Sequence, residues 1–128
     1  MSDFELTDTG FNNLLGLDLV GMEDDYYVVE LNIEAQHLNL ANKVHGGIYM
    51  AMLDVAMARV LHNQSTSDSS SHVTVELKTN FLSGAKSGKL RAEGRIVKIG
   101  RRLGFAKAIL FDDQSQQLAI AAATFMFF

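Results

Sequence analysis

Apolar and polar residues alternate along several short segments of the chain, and this period of two is typical of half-buried β-strands. The segments are 17–22, 26–33, 73–81, 90–99, 103–111 and 118–127. The first two flank an acidic turn at 23–25 and predict a hairpin. Short turns join the last four, so we expect antiparallel neighbours, because a parallel crossover needs about a dozen residues or more.

The segment 73–81 alternates regularly enough to predict the two faces of its strand. We expect one face to carry Val73, Val75, Leu77, Thr79 and Phe81, and the other to carry Thr74, Glu76, Lys78 and Asn80. The serine-rich run 65–71 before this strand is interpreted as a flexible connection rather than an interdomain linker.

One long segment, 48–61, has the composition of a helix, since it is rich in Ala, Met and Leu and contains no Gly or Pro. Apolar residues surround its whole circumference, which predicts a buried helix. A shorter helix is expected over 7–15, capped by Thr7 or Asp8 and stopped by Gly16, and 34–44 is expected to be a loop. This order predicts an α+β fold in which one antiparallel sheet wraps around one central helix, in a single domain over 1–128.

Composition excludes several classes of function. The net charge of −4 gives no basic surface for nucleic acid, and the absence of cysteine excludes disulfides, thiolate nucleophiles and cysteine-based zinc sites. The acidic N-terminus has no apolar core of signal-peptide length, and the longest apolar stretch, 48–55, is too short to span a bilayer. We expect a cytoplasmic protein that binds neither nucleic acid nor membrane.

Asp54 stands in the middle of the predicted buried helix. The other charge in that helix, Arg59, is five residues away and is therefore not on the same face. Burying an unpaired carboxylate costs several kcal/mol, so we expect Asp54 to face a cavity or an interface, or to have a raised pKa. The alternatives are a solvent-exposed position or a distant cationic partner.

The residues His45-Gly46-Gly47 come directly before this helix. Two glycines at a helix start leave N–H groups accessible to a ligand, and the helix dipole there stabilises the negative charge of an oxyanion. Both glycines are therefore candidates for binding a thioester carbonyl. The alternative is a plain tight turn into the helix.

Taken together, the motif His45-Gly46-Gly47-x6-Asp54-x-Ala56, followed by an antiparallel sheet, resembles the hotdog-fold acyl-CoA thioesterases, particularly the phenylacetate-pathway subfamily. The resemblance covers nearly the whole chain. It departs from the family at Ser83-Gly84-Ala85, where relatives often have a proline before the alanine.

The resemblance implies roles for particular residues. In that family the acidic residue nine positions after the motif histidine is the nucleophile or general base, which corresponds to Asp54, and the first glycine N–H, here Gly46, polarises the thioester carbonyl. An Asn or Gln six residues before the histidine helps to position carbonyl or water, here Asn39. A Ser or Thr on the strand after the helix lies near the carboxylate, here Thr74, although strand threonines are usually structural. His45 is expected to orient the glycine turn rather than to act as a base.

The resemblance also implies a substrate and an assembly. The family often binds the CoA phosphates near the hairpin that carries Arg101 and Arg102 here, and a solvated turn is the alternative. The substrate implied is an acyl-CoA, hydrolysed without metal or other cofactor. The assembly implied is a homodimer that shares its active sites between subunits, with two dimers forming a tetramer. His37, His62 and His72 lack metal-site spacing and are expected to be surface or loop residues.

Two other functions fit the sequence. A hotdog acyl-thioester hydratase is one, although its histidine motif is not found here. The other is a catalytically silent acyl-CoA-binding or assembly protein, against which the intact pair of Asp54 and Gly46 argues.

Overall fold

The computed structural model describes residues 10–65 and 71–128. The elements are α1 (Phe11–Leu15), β1 (Asp18–Glu23), β2 (Tyr26–Asn32), α2 (Gly46–Gln64), β3 (His72–Phe81), β4 (Lys89–Ile99), β5 (Leu103–Phe111) and β6 (Gln117–Phe127). Helix α1 ends at Gly16, which adopts the left-handed conformation expected of a helix stop. The proposed caps Thr7 and Asp8 lie outside the described residues. The predicted loop contains one 3-10 turn, Ala35–His37.

The strands form one six-stranded sheet in the order β1-β2-β4-β5-β6-β3. Each neighbouring pair is antiparallel, so the predicted sheet is confirmed. Strands β1 and β3 are its two edges. Strand β3 pairs with the last strand, β6, rather than with β4, which follows it in sequence. The expectation that 73–81 and 90–99 are neighbours is therefore wrong, because β5 and β6 lie between them in the sheet.

Helix α2 packs against the inner face of this sheet, as its apolar circumference predicts. Its buried residues are Ile48, Tyr49, Met52, Leu53, Ala56, Met57, Arg59, Val60 and Leu61. Helix and sheet come close together at Gly94 of β4, where an added Cβ would lie 2.5 Å from the carbonyl oxygen of Ala56. A glycine is therefore needed for the helix backbone to lie directly on the strand.

The predicted faces of β3 are wrong in the first half of the strand. Val73 and Val75 are exposed, whereas Thr74 is half-buried and pairs with the buried Phe125. The pairing register shifts between Thr74 and Glu76, so that a β-bulge at Val75 changes which residues face the helix. Beyond the bulge, Leu77 again faces inward. A regular alternation of apolar and polar residues does not predict this extra residue.

Within the described residues, no helix combines the length and the apolar character that crossing a membrane requires.

Candidate functional site

Asp54 lies on α2 facing β3, where its side chain meets Thr74. The Thr74 hydroxyl donates a hydrogen bond of 2.9 Å to Oδ1 of Asp54. Both side chains are half-buried. The bulge at Val75 makes this contact possible, because it leaves Thr74 on the inner face while the strand continues with Leu77 on that same face. The expected proximity of Thr74 and Asp54 is confirmed.

Burial raises the pKa of the Asp54 carboxyl above its usual value, while the Thr74 hydrogen bond and the charge of His72 act in the opposite direction. Desolvation disfavours the charged form, and the two neighbours favour it. A carboxylate in this state is a stronger base than one in water. It needs a fixed donor, which Thr74 supplies, to hold its orientation.

His72 was not recognised from the sequence as part of this site. It is half-buried at the start of β3 and lies near Asp54, so the surface-or-loop interpretation is wrong for it. Burial lowers the pKa of His72, and the charges of His62 and Arg59 lower it further. The one available signal was its position two residues before Thr74, which places both side chains on the same face of the strand.

His37 lies in the predicted loop, as expected, but its side chain is buried, with 1% of its surface exposed. Its Nδ1 accepts from the Glu34 N–H at 2.9 Å, and its Nε2 lies 2.7 Å from the Leu15 carbonyl oxygen. Its own carbonyl accepts from the His45 N–H at 2.9 Å. His37 therefore ties α1 to the loop that precedes α2.

His45 caps α2, as the sequence indicates. Its Nδ1 accepts a 2.8 Å hydrogen bond from the Gly47 N–H, so Gly47 is engaged and the expectation that both glycine N–H groups are open to a ligand is wrong for Gly47. The Gly46 N–H has no acceptor within residues 10–65 and 71–128. The Phe81 ring lies over Gly46, where an added Cβ would be 3.2 Å from Cε1 of that ring. The oxyanion candidate is therefore Gly46 alone.

Asn39 folds the loop in front of this helix terminus. Its Oδ1 accepts from the N–H groups of Ala41 at 2.9 Å and Lys43 at 3.2 Å. These two donors engage the amide oxygen, which leaves the Nδ2 group as the other polar group of the side chain. Asn39 and Gly46 line the same pocket of about 340 Å³, together with Lys43, Val44, Tyr49, Phe81, Leu82, Ser83 and Gly84. The structure thus brings Asn39 and Gly46 together.

Asp54 does not line that pocket. It is eight residues from Gly46 along α2, which corresponds to about 12 Å at 1.5 Å per residue. The carboxylate and the free N–H group therefore occupy two separate places within one chain.

Arg101 and Arg102 lie in the turn between β4 and β5, and both are exposed. The turn is closed by a 2.8 Å hydrogen bond from the Gly100 N–H to the Leu103 carbonyl, and the Arg102 carbonyl accepts from the Phe127 N–H. The hairpin position is confirmed, whereas phosphate binding stays a prediction. Across the described part of the chain, no three His, Asp or Glu side chains form a group that could hold a metal ion.

Comparison with known proteins identifies the family. The family profile of the thioesterase superfamily matches residues 41–119. The acyl-coenzyme A thioesterase PaaI of Escherichia coli is 24% identical over 106 residues, which cover 83% of this chain and 74% of that protein. A protein from Bacillus halodurans crystallised with CoA is 28% identical, with a TM-score of 0.86 over 94% of this chain and 80% of that one.

A thioesterase from Haemophilus influenzae has a TM-score of 0.90 over 97% of this chain and 86% of its own, and its 14% identity speaks for the fold alone. Family profile and fold agree with the motif and with the antiparallel sheet around α2. The chain therefore belongs to the thioesterase superfamily, has its hotdog fold and is a thioester hydrolase.

Proposed function

We propose that the protein hydrolyses acyl-CoA thioesters, with Asp54 as the reactive carboxylate and the Gly46 N–H as the oxyanion donor. The observation that carries the proposal is the half-buried Asp54 carboxylate oriented by Thr74. The names of the relatives support the substrate class, since one is an acyl-coenzyme A thioesterase and another was crystallised with CoA.

Two routes fit a carboxylate in this position. In the first, Asp54 takes a proton from water, the hydroxide oxygen bonds to the thioester carbon, and the C–S bond breaks to release a thiolate that is protonated to CoA. In the second, Asp54 itself attacks the carbonyl carbon and expels the thiolate, and water then hydrolyses the mixed anhydride. In both, the developing oxyanion is stabilised by the Gly46 N–H at the positive end of α2.

Asn39 suits a positioning role in either route. Its Oδ1 is used by the loop, so its Nδ2 group is the one available to orient the carbonyl or the water. Arg101 and Arg102 are proposed to bind CoA phosphates, because a pair of exposed guanidinium groups matches their charge and geometry. His45 holds the glycine turn through Gly47.

The active site is proposed to be shared between two chains. About 12 Å of helix separates Asp54 from Gly46, which is too far for both to act on one carbonyl carbon. The edge strand β3 carries Thr74 of the site and exposes Val73 and Val75, and an edge strand is the part of a sheet that can pair with another copy. A two-fold dimer with antiparallel central helices would bring Asp54 of one chain to Gly46 of the other. A tetramer and a cytoplasmic location stay predictions.

The test is release of free thiol from aromatic, medium-chain and long-chain acyl-CoA esters. The wild type should release thiol, and Asp54→Asn should lower the turnover by about 100-fold or more, because the amide neither attacks nor accepts a proton. Asp18→Asn, which changes an exposed carboxylate on β1, is the matched control and should keep full activity.

Near wild-type turnover of a folded Asp54→Asn would overturn the catalytic assignment. Binding of the esters without thiol release would indicate a silent acyl-CoA-binding protein. A change in enoyl absorbance without thiol release would indicate a hydratase.

A further inference from the structure

Basic side chains gather around His72, where α2 ends and β3 begins. His62 and His72 have ring centroids 6.0 Å apart, and the His72 ring meets the edge of Phe125 at 5.9 Å with an interplanar angle of 66°. His72 pairs with Phe127 in the β3–β6 register, and Thr74 pairs with Phe125. His72 and Thr74 therefore point to the same inner face, on which the Thr74 hydroxyl donates its hydrogen bond to Asp54.

We propose that His72 is a positioning residue whose protonation keeps the Asp54 carboxylate ionised as the pH falls. The proposal rests on the function given above, in which an ionised Asp54 is required. His72 has no part in that mechanism as a base or as a donor to the substrate.

The surroundings of His72 determine when it carries a charge. Among the described residues, the ionisable side chains that face it from α2 are Asp54, Arg59 and His62, while β6 presents Phe125 and Phe127, which are uncharged. Burial and the two basic neighbours lower the pKa of His72, and Asp54 alone raises it. At neutral pH the imidazole is therefore neutral, and Asp54 retains the basicity that its burial confers.

The interaction between His72 and Asp54 changes when the pH falls. Protonation of His72 places a positive charge near Asp54 in a partly desolvated region, where opposite charges interact more strongly than in water. That charge lowers the pKa of the carboxyl, which burial alone would raise. His72 thus extends the ionised state of Asp54 towards lower pH without weakening Asp54 as a base at neutral pH.

The first test is a titration of the Asp54 carboxyl by 13C NMR, assigned with Asp54→Asn. In His72→Phe, which keeps a ring against Phe125 but cannot become charged, the midpoint should move to higher pH. His72→Gln should move it in the same direction, and it serves as the second variant should His72→Phe fail to fold. A midpoint that stays in place or falls in the folded variant would overturn the proposal.

His62→Gln is a control with the opposite expected sign. Removing His62 removes a repulsion on His72, so the imidazole should titrate at higher pH and the Asp54 midpoint should move to lower pH. A shift of the Asp54 midpoint to higher pH in His62→Gln would contradict the proposed effects of His62 on His72 and of His72 on Asp54.

The second test is the pH profile of kcat/KM for the best acyl-CoA ester. Its acidic limb should move to higher pH in His72→Phe and to lower pH in His62→Gln, because the limb reports the ionisation of the free enzyme. A merely structural role of His72 would lower kcat/KM by the same factor at every pH and leave the limb in place. If the wild type hydrolyses no ester, the proposed function fails, while the NMR titration still decides the role of His72.

Discussion

The burial of the Asp54 carboxylate has opposite effects on its basicity and on the stability of the folded protein. Its burial raises the basicity of the carboxylate, and the same burial means that the charged form is destabilised by the folded protein. The Thr74 hydrogen bond offsets part of this cost. A residue retained in such a position is expected to limit the stability of the protein.

We therefore predict that Asp54→Asn stabilises the protein at neutral pH. The folded pKa of Asp54 lies above its unfolded value of 3.8, so wild-type stability decreases as the pH rises through this window and the native state releases its extra proton. The asparagine is neutral throughout and can still accept from Thr74. The free energy of unfolding of Asp54→Asn should exceed that of the wild type by the largest amount at about pH 7 and by a smaller amount at about pH 4.

Urea denaturation of both proteins at the two pH values measures this difference, with Asp18→Asn as the exposed control. An Asp54→Asn variant that is less stable than the wild type by the same amount at both pH values would contradict the prediction.

Among the secondary-structure elements, the contact between α2 and β4 determines how closely the helix can lie on the sheet. We predict that Gly94→Ala destabilises the protein by about 1–3 kcal/mol, because the new methyl group would lie 2.5 Å from the Ala56 carbonyl oxygen and force the helix to move. Chemical denaturation gives the value. Gly10→Ala is the control, since an added Cβ at Gly10 has no neighbour within 4 Å. Equal stability of both variants and the wild type would show that α2 moves without cost.

The β4–β5 hairpin has a prediction of its own. Arg101→Ala and Arg102→Ala should each raise the KM for an acyl-CoA ester by about two- to five-fold and change kcat little, because an exposed contact to a remote phosphate contributes similarly to substrate and transition state. Lys107→Ala, on the central strand β5 and exposed, controls for loss of a positive charge elsewhere on the sheet. The effect should weaken at high salt. An unchanged KM in both arginine variants would favour the solvated-turn alternative.

At the scale of the whole molecule, the proposed sharing of the active site between two chains can be tested directly. Mixed dimers of Asp54→Ala and Asn39→Ala, formed by unfolding and refolding equal amounts together, would place both substitutions in one site and neither in the other. Random mixing should therefore restore roughly a quarter of the wild-type sites. Thiol release measures the recovery, and mass spectrometry of tagged chains verifies subunit exchange. Activity no higher than the average of the two single variants, with exchange verified, would rule out a shared site.

The sequence determined much of this protein through local patterns. The period-two segments predicted the strands, the all-round apolar segment predicted the buried α2, and short turns predicted antiparallel pairing. The motif of His45, Gly46 and Asp54 indicated the family and the residues proposed to carry its chemistry. These features depend on residues close together in the chain, so the amino-acid order alone is sufficient to recognise them.

Only the tertiary structure decided which side chains meet. The bulge opposite β6 turned Thr74 towards Asp54, and strand alternation could not reveal it because the extra residue is defined by the partner strand. Likewise, the Gly47 N–H was taken by His45, and His72 came to lie near the Asp54 carboxylate only because β3 packs beside α2. Each of these depends on packing between elements: a sequence pattern specifies the face of one element, whereas a pKa or a hydrogen bond in the site depends on two or three elements together.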